Sequence, residues 1–168
     1  VSTQCDLDEA RKLLKSSKRP VLILGLEAAR SSLGEPIKSL VENINAPALC
    51  TYMAAGTLAS NHPNYAGIFT GGAVEQRCVR EADLIVLLGL DPVELIRKPW
   101  PYEAPFIDLC EVERTPHYLQ PNARLHEPLQ DSLAKLAKLT SSSEWTEQEI
   151  ASHRAYFLSQ LEVNAEQG

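Results

Sequence analysis

The sequence predicts an α/β fold: a doubly wound, roughly six-stranded parallel sheet flanked by helices. Three observations lead there. Leu84-Ile85-Val86-Leu87-Leu88 is an unbroken apolar run that stops at Gly89. A strand covered on both faces needs apolar side chains on both, so it reads as a run and not as an alternation. The same pattern recurs at Val21-Leu22-Ile23-Leu24-Gly25. Between such runs lie helical stripes, the cleanest being Ile37, Leu40, Val41 and Ile44 at i, i+3, i+4 and i+7. Strands that alternate with helices make a parallel sheet with right-handed crossovers, here expected in the order 3-2-1-4-5-6.

Taken in order, Asp6-Leu7-Asp8-Glu9 reads as a helix start with Asp6 as cap, followed by a stripe of Leu7, Ala10 and Leu14 that Pro20 stops. Residues 21–25 are the first strand. Ser31 and Ser32 offer caps for the next helix, Pro36 suits its first turn, and Asn45-Ala46-Pro47 ends it. Residues 48–52 are the second strand. Residues 53–72 form a long irregular stretch, with a short strand expected at Gly67-Ile68-Phe69, and loops this long are often functional. Gly71-Gly72 opens a helix through Val74, Cys78 and Val79. After the central strand, Asp91-Pro92-Val93-Glu94 resembles a capped start, cut short by Pro99 and Pro101. Residues 105–110 are a fifth strand and 123–126 a weak sixth. Pro128 starts a helix with Leu129, Leu133 and Leu136 on one side. Ser141-Ser142-Ser143 reads as a flexible joint before a last helix over 144–166, striped by Ile150, Arg154, Phe157, Leu158 and Leu161.

The 168 residues suit one domain with a real core. A net charge of −6 and the lack of a basic block argue against nucleic acid as partner. No apolar stretch reaches membrane-spanning length and no signal peptide opens the chain, so no membrane partner and a cytoplasmic location are expected. Cys5, Cys50, Cys78 and Cys110 have no zinc-like spacing and are expected as buried free thiols. The chain opens at Val1 and is read as a piece of something longer.

Ligands of such sheets bind beyond the strand carboxyl ends, where strand order reverses. The candidate nucleotide crevice therefore comprises Gly25, Thr51, Gly67, Gly89 and Asp108. The dinucleotide fingerprint Gly-x-Gly-x-x-Gly is absent: the chain reads Gly25-Leu26-Glu27-Ala28-Ala29-Arg30, and Glu27 would repel a pyrophosphate. Gly25 reads more simply as a plain strand end. Gly71-Gly72 could offer amides to an anion or simply enter a helix, and Asp108 could accept ribose hydroxyls or be a solvated carboxylate. His62, His117, His126 and His153 are dispersed, without metal spacing or a paired nucleophile, and no Gly-x-Ser-x-Gly elbow occurs. No catalytic residue and no metal ligand is assigned.

Four blocks then carry a resemblance. Arg19-Pro20-Val21-Leu22-Ile23-Leu24-Gly25, Ala46-Pro47 before the strand reaching Thr51, Gly56 leading to His62-Pro63 and Gly67, and Ala82-Asp83-Leu84 before Gly89 stand in order. With Ile107-Asp108 added, roughly residues 6–140 resemble the central domain of thiamine diphosphate-dependent enzymes, the superfamily of acetolactate synthase, 2-oxo-acid decarboxylases and benzaldehyde lyase. The resemblance implies a Rossmann-like, DHS-like sheet of the NAD/FAD-binding type, with residues 1–140 as the middle domain and 141–168 as a linker helix toward a C-terminal domain. It implies that the N-terminal domain of the enzyme supplies an activating glutamate. The C-terminal domain binds thiamine diphosphate and magnesium through Gly-Asp-Gly. Neither motif occurs here.

The whole enzyme would be a lyase or carboligase on 2-oxo acids, a homodimer or homotetramer, and this domain would lack catalysis of its own. Some members bind FAD or ADP in this domain. The departures here argue for no bound cofactor: Ala54-Ala55-Gly56 and Gly67-Ile68-Phe69-Thr70 replace the glycine-rich turns, and Asp91 replaces a phosphate-pairing arginine. The alternatives are an FAD/ADP-binding module of the electron-transfer flavoprotein type, which lacks its phosphate loop here, and a sirtuin-like deacylase, whose zinc ribbon the cysteine spacing denies.

Overall fold

In the computed structural model, residues 3–30, 32–113 and 119–166 are described; Ser31, His117 and the side chain of Cys5 lie outside them. Six parallel strands are ordered β3-β2-β1-β4-β5-β6. They are β1 (Pro20–Leu24), β2 (Ala48–Cys50), β3 (Tyr65–Ile68), β4 (Leu84–Leu88), β5 (Phe106–Cys110) and β6 (Ala123–His126). The expected doubly wound order is the one found. Central strands β1 and β4 are buried at every residue, as their unbroken apolar runs require.

Register identifies the two faces. Gly67, Leu49, Ile23, Leu87, Asp108 and Arg124 form one row across the sheet. At Gly67 that row meets the Phe157 ring of the last helix, α6 (Glu147–Glu166). The alternate row, including Ile107, Leu109 and Leu125, lines a small apolar cavity against α1 (Gln4–Ser16) and α5 (Leu129–Leu139). Helix α3 (Gly34–Ile44) packs beside α5 and buries its stripe of Ile37, Leu40, Val41 and Ile44. Burying each such side chain contributes about 1.5–3 kcal/mol relative to leaving it exposed.

Several elements differ from expectation, each for a local reason. Helix α1 starts earlier, because Thr3 is its cap and Asp6 is the third residue of a reciprocal capping box. A short α2 (Leu26–Arg30) follows β1 directly. Ser32 does not cap α3: it turns the chain with positive φ, and Leu33 precedes the helix without a side-chain bond. The helix expected from Gly71 is only α4 (Gln76–Val79), because residues 70–75 form a turn around the Glu75 carboxylate. Asp91 caps a single 3-10 turn, Pro92–Glu94. The chain then continues as an extended strap whose Trp100 and Tyr102 pack with Phe69 and Phe106.

The expected joint at 141–143 is pinned to the fold. Ser143 donates its amide to Ile44 O at 2.7 Å and its hydroxyl to Asn45 O at 2.7 Å. Trp145 is buried and donates Nε1–H to Pro20 O at 2.9 Å, with the Arg19 guanidinium 3.8 Å from the centre of its ring. Helix α6 begins only after this anchor. Its inner face is Ile150, His153 and Phe157, whereas Leu158 and Leu161 point outward, 49% and 48% exposed. Cys50 and Cys78 are buried free thiols, and Cys110 is buried.

Candidate functional site

Strand order reverses between β1 and β4, and a crevice ligand would sit above their carboxyl ends. Three of the five expected residues meet there. Gly25 N donates to Leu88 O at 2.9 Å and Thr51 N to Leu24 O at 2.9 Å, while Gly89 O accepts from Glu27 N at 3.0 Å. The two glycines serve backbone packing. A Cβ on Gly25 would lie 2.3 Å from Leu90 Cα. Gly89 has φ +65°, and a Cβ there would lie 2.7 Å from Ala28 N. The turns after β1 and β4 are therefore in direct backbone contact.

The donors above this contact are already engaged. Glu94, from the 3-10 turn after β4, accepts from Leu26 N at 3.0 Å and from its own cap residue, Asp91 N, at 2.8 Å. Its other oxygen accepts the Thr51 hydroxyl proton. A half-buried carboxylate thus occupies the amide-lined position at the reversal point, where an anionic ligand would otherwise be held. The arrangement repeats around the same end of the sheet. Glu75 is buried and accepts from Thr70 N at 2.9 Å and Gly72 N at 2.8 Å, so the Gly71-Gly72 turn holds an internal anion. Glu27, also buried, accepts from Glu111 N at 2.8 Å. Glu111 in turn accepts from Leu129 N, the first amide of α5, at 2.9 Å.

Gly67 and Asp108 are placed elsewhere. Gly67 sits at an irregular step in the β2–β3 pairing with φ +128°, and a Cβ there would lie 2.6 Å from the Phe157 ring. Its missing side chain makes room for α6. Asp108 is central in β5 and accepts from Arg124 Nε at 2.8 Å. Among the described residues, no three His, Cys, Asp or Glu side chains are grouped as a metal would need. Two histidines pair with carboxylates: His62 Nε2 lies 3.0 Å from Glu42 and His153 Nε2 3.3 Å from Glu81. Burial pushes the Cys50 thiol up to about 11 and the Cys78 thiol up to about 12, far from a nucleophile's range.

The sequence points to Glu27 and Glu94 but not to the distant donors they hold, and it gives no sign of Glu75 or Glu111. The Asp91-x-x-Glu94 spacing signals the back-bond to Asp91 N. Nothing local signals Thr51, 43 residues away. Asp83 was also overlooked as an anchor: its carboxylate accepts from Lys18 N at 2.7 Å, Arg19 N at 3.0 Å and the Ser17 hydroxyl at 2.5 Å. It thereby fixes the turn from α1 into β1, which gives Ala82-Asp83-Leu84 a structural purpose.

Residues 7–138 match the family model described as "Thiamine pyrophosphate enzyme, central domain". The chain belongs to that family. Its curated relatives include mouse 2-hydroxyacyl-CoA lyase 1, 40% identical over 48% of this chain and 13% of that protein. A probable acetolactate synthase large subunit from Methanococcus aeolicus is 32% identical over 49% of this chain and 14% of its own length. Oxalyl-CoA decarboxylase from Escherichia coli is 31% identical over 60% and 17%. A thiamine diphosphate-dependent 4-hydroxybenzoylformate decarboxylase from Rhodococcus jostii shares the fold, with a TM-score of 0.66 at 18% identity over 86% of this chain and 29% of that one. The match thus spans less than a fifth of these curated relatives. This chain is a central domain of a thiamine pyrophosphate enzyme, the first of the three readings above, and not the flavoprotein module. No helix among the described residues is long and apolar enough to cross a membrane.

Proposed function

We propose that this central domain is a nucleotide-free scaffold in a thiamine diphosphate- and magnesium-dependent lyase or carboligase that acts on 2-oxo acids in the manner of acetolactate synthase. The reacting groups belong to the N-terminal and C-terminal domains of the same enzyme, which assembles as a homodimer or homotetramer in the cytoplasm. Residues 1–140 form the scaffold and 141–168 lead to the next domain. Gly25, Thr51 and Gly89 mark a nucleotide crevice that has been turned to structural use, while Gly67 makes room for α6 and Asp108 pairs with Arg124 outside it.

One observation carries the absence of FAD or ADP. The Glu94 carboxylate holds Leu26 N, Asp91 N and the Thr51 hydroxyl at the reversal point. A nucleotide phosphate placed there would lose these donors and face a fixed negative charge. The residues present do not fit an adenine dinucleotide, and no step of catalysis is assigned to one. Two measurements test the reading. The full-length enzyme, purified without added nucleotide, should show no stoichiometric flavin absorbance and release no ADP on acid denaturation. It should turn over a 2-oxo acid only with thiamine diphosphate and magnesium, while residues 1–168 alone turn over none. Flavin or ADP at one equivalent overturns the scaffold assignment, and turnover without thiamine diphosphate overturns the enzyme class.

A further inference from the structure

Four large apolar side chains are exposed on the two segments that the Glu94 plug joins. Tyr52 and Met53 directly follow Thr51 and are 70% and 58% exposed. Val93 directly precedes Glu94 and Ile96 lies two residues beyond it, 85% and 52% exposed. The Thr51–Glu94 hydrogen bond joins the two segments, and Ile96 N donates to Thr70 O at 2.8 Å, which extends the patch toward the end of β3. Exposed Arg97 and Lys98 border it. Large apolar side chains at such exposure, on segments tied together by these bonds, mark an interaction surface.

The path of α6 says what reaches that surface. The helix starts beside the amino end of the sheet, where Trp145 bonds Pro20 O. Its Arg154 donates to His62 O, ahead of β3, and its Phe157 lies over Gly67, near the carboxyl end of β3. It therefore climbs toward the carboxyl edge of the sheet. The nine residues from Phe157 to Glu166 add about 13 Å at the α-helical rise. Less than about 4 Å of β3 remains beyond Gly67, so the end of α6 stands clear of the sheet on the same side as the patch. It carries Leu158, Leu161 and Val163 outward, each nearly half exposed. The opposite terminus enters elsewhere: Asp6 of α1 accepts from Arg124 N on β6, the far edge of the sheet.

We infer that Tyr52, Met53, Val93 and Ile96, with the outer face of α6, form the docking surface for the folded domain that follows α6 in the same polypeptide. The inference rests on the proposed reading that this chain is one domain of a larger enzyme. That domain should present an apolar centre with carboxylates at its rim, to meet Arg97 and Lys98.

The test uses the full-length enzyme carrying single substitutions Met53→Cys, Val93→Cys or Leu161→Cys, with Lys12→Cys on exposed α1 as reference. Maleimide labelling rates are read peptide by peptide. The three patch positions should label at least tenfold more slowly than position 12, at a rate independent of protein concentration. Val93→Asp should shift hydrogen exchange at 52–53 and 158–163 toward fast exchange with no change in β1 or β4. Patch labelling at the reference rate overturns the inference, as does protection that vanishes on dilution, which would mean a second copy covers the surface. A polypeptide with no domain after α6 overturns it as well. Thiamine diphosphate-dependent turnover is measured in the same preparations, so failure of the enzyme reading is distinguishable from failure of the docking surface.

Discussion

Replacing Glu94 separates a plugged crevice from an open one. The carboxylate accepts three hydrogen bonds, two from backbone amides and one from the Thr51 hydroxyl. A hydrogen bond to a charged group contributes about 1.5–3 kcal/mol when buried. Glu94 is half-buried, so water can re-solvate part of what is lost and the low end applies. For Glu94→Ala, two bonds' worth at about 1.5 kcal/mol each gives about 3 kcal/mol of destabilisation. For a domain of this size that is about 6–12 °C in Tm. Glu94→Gln keeps one oxygen for the two amides and can turn its amide group to the Thr51 oxygen, so it should cost about 1 kcal/mol. Val93→Ala, next door and exposed, should stay within about 0.5 kcal/mol. Urea unfolding followed by far-UV circular dichroism measures all three against the parent chain. If Glu94→Ala and Glu94→Gln both fall within the range of Val93→Ala, the carboxylate is not satisfying those donors, and the plug is an incorrect account of the crevice.

Other perturbations test the frame around it. Gly25→Ala sets a Cβ against Leu90 backbone and should cost about 3 kcal/mol or more through overpacking, read as a lowered urea midpoint; an unchanged midpoint would mean that the two turns can part freely. Leu87→Asp buries an unpaired carboxylate in the central strand and should leave no cooperative melting transition; a parental melt would contradict the burial of Leu87. The thiols of Cys50 and Cys78 are raised from 9.0 to about 11 and about 12 by burial. Their protonated form is therefore favoured by the fold. The stability this contributes is full below pH 9 and is lost as pH climbs through about 11 to 12. At pH 8 both should resist a disulfide reagent until urea unfolds the chain, and prompt reaction in the native state would refute their burial.

The strand assignments were legible because a helix-covered parallel strand writes its environment directly into sequence: every residue of 84–88 is apolar because every residue is buried. Helix α3 was legible for a related reason, since one face must be apolar at helical spacing. The ends of elements were less so. Asp6 and Thr3 can each start a helix, and the choice fell to a reciprocal pair of bonds between them. The outward turn of Leu158 and Leu161 was hidden because helical spacing alone does not say which of two adjacent stripes meets the sheet.

The amino-acid order by itself determined the layered α/β architecture, the doubly wound strand order and the membership of the thiamine enzyme central domains, because local periodicity and short spaced motifs are properties of neighbours along the chain. Tertiary structure alone decided what the crevice holds. Whether Gly67 faces a nucleotide or the ring of Phe157, and whether Thr51 meets a phosphate or the carboxylate of Glu94, depends on segments 90 and 43 residues apart. Hydrogen bonding and steric contact act over a few ångströms of space, and only the folded chain brings those segments within that range.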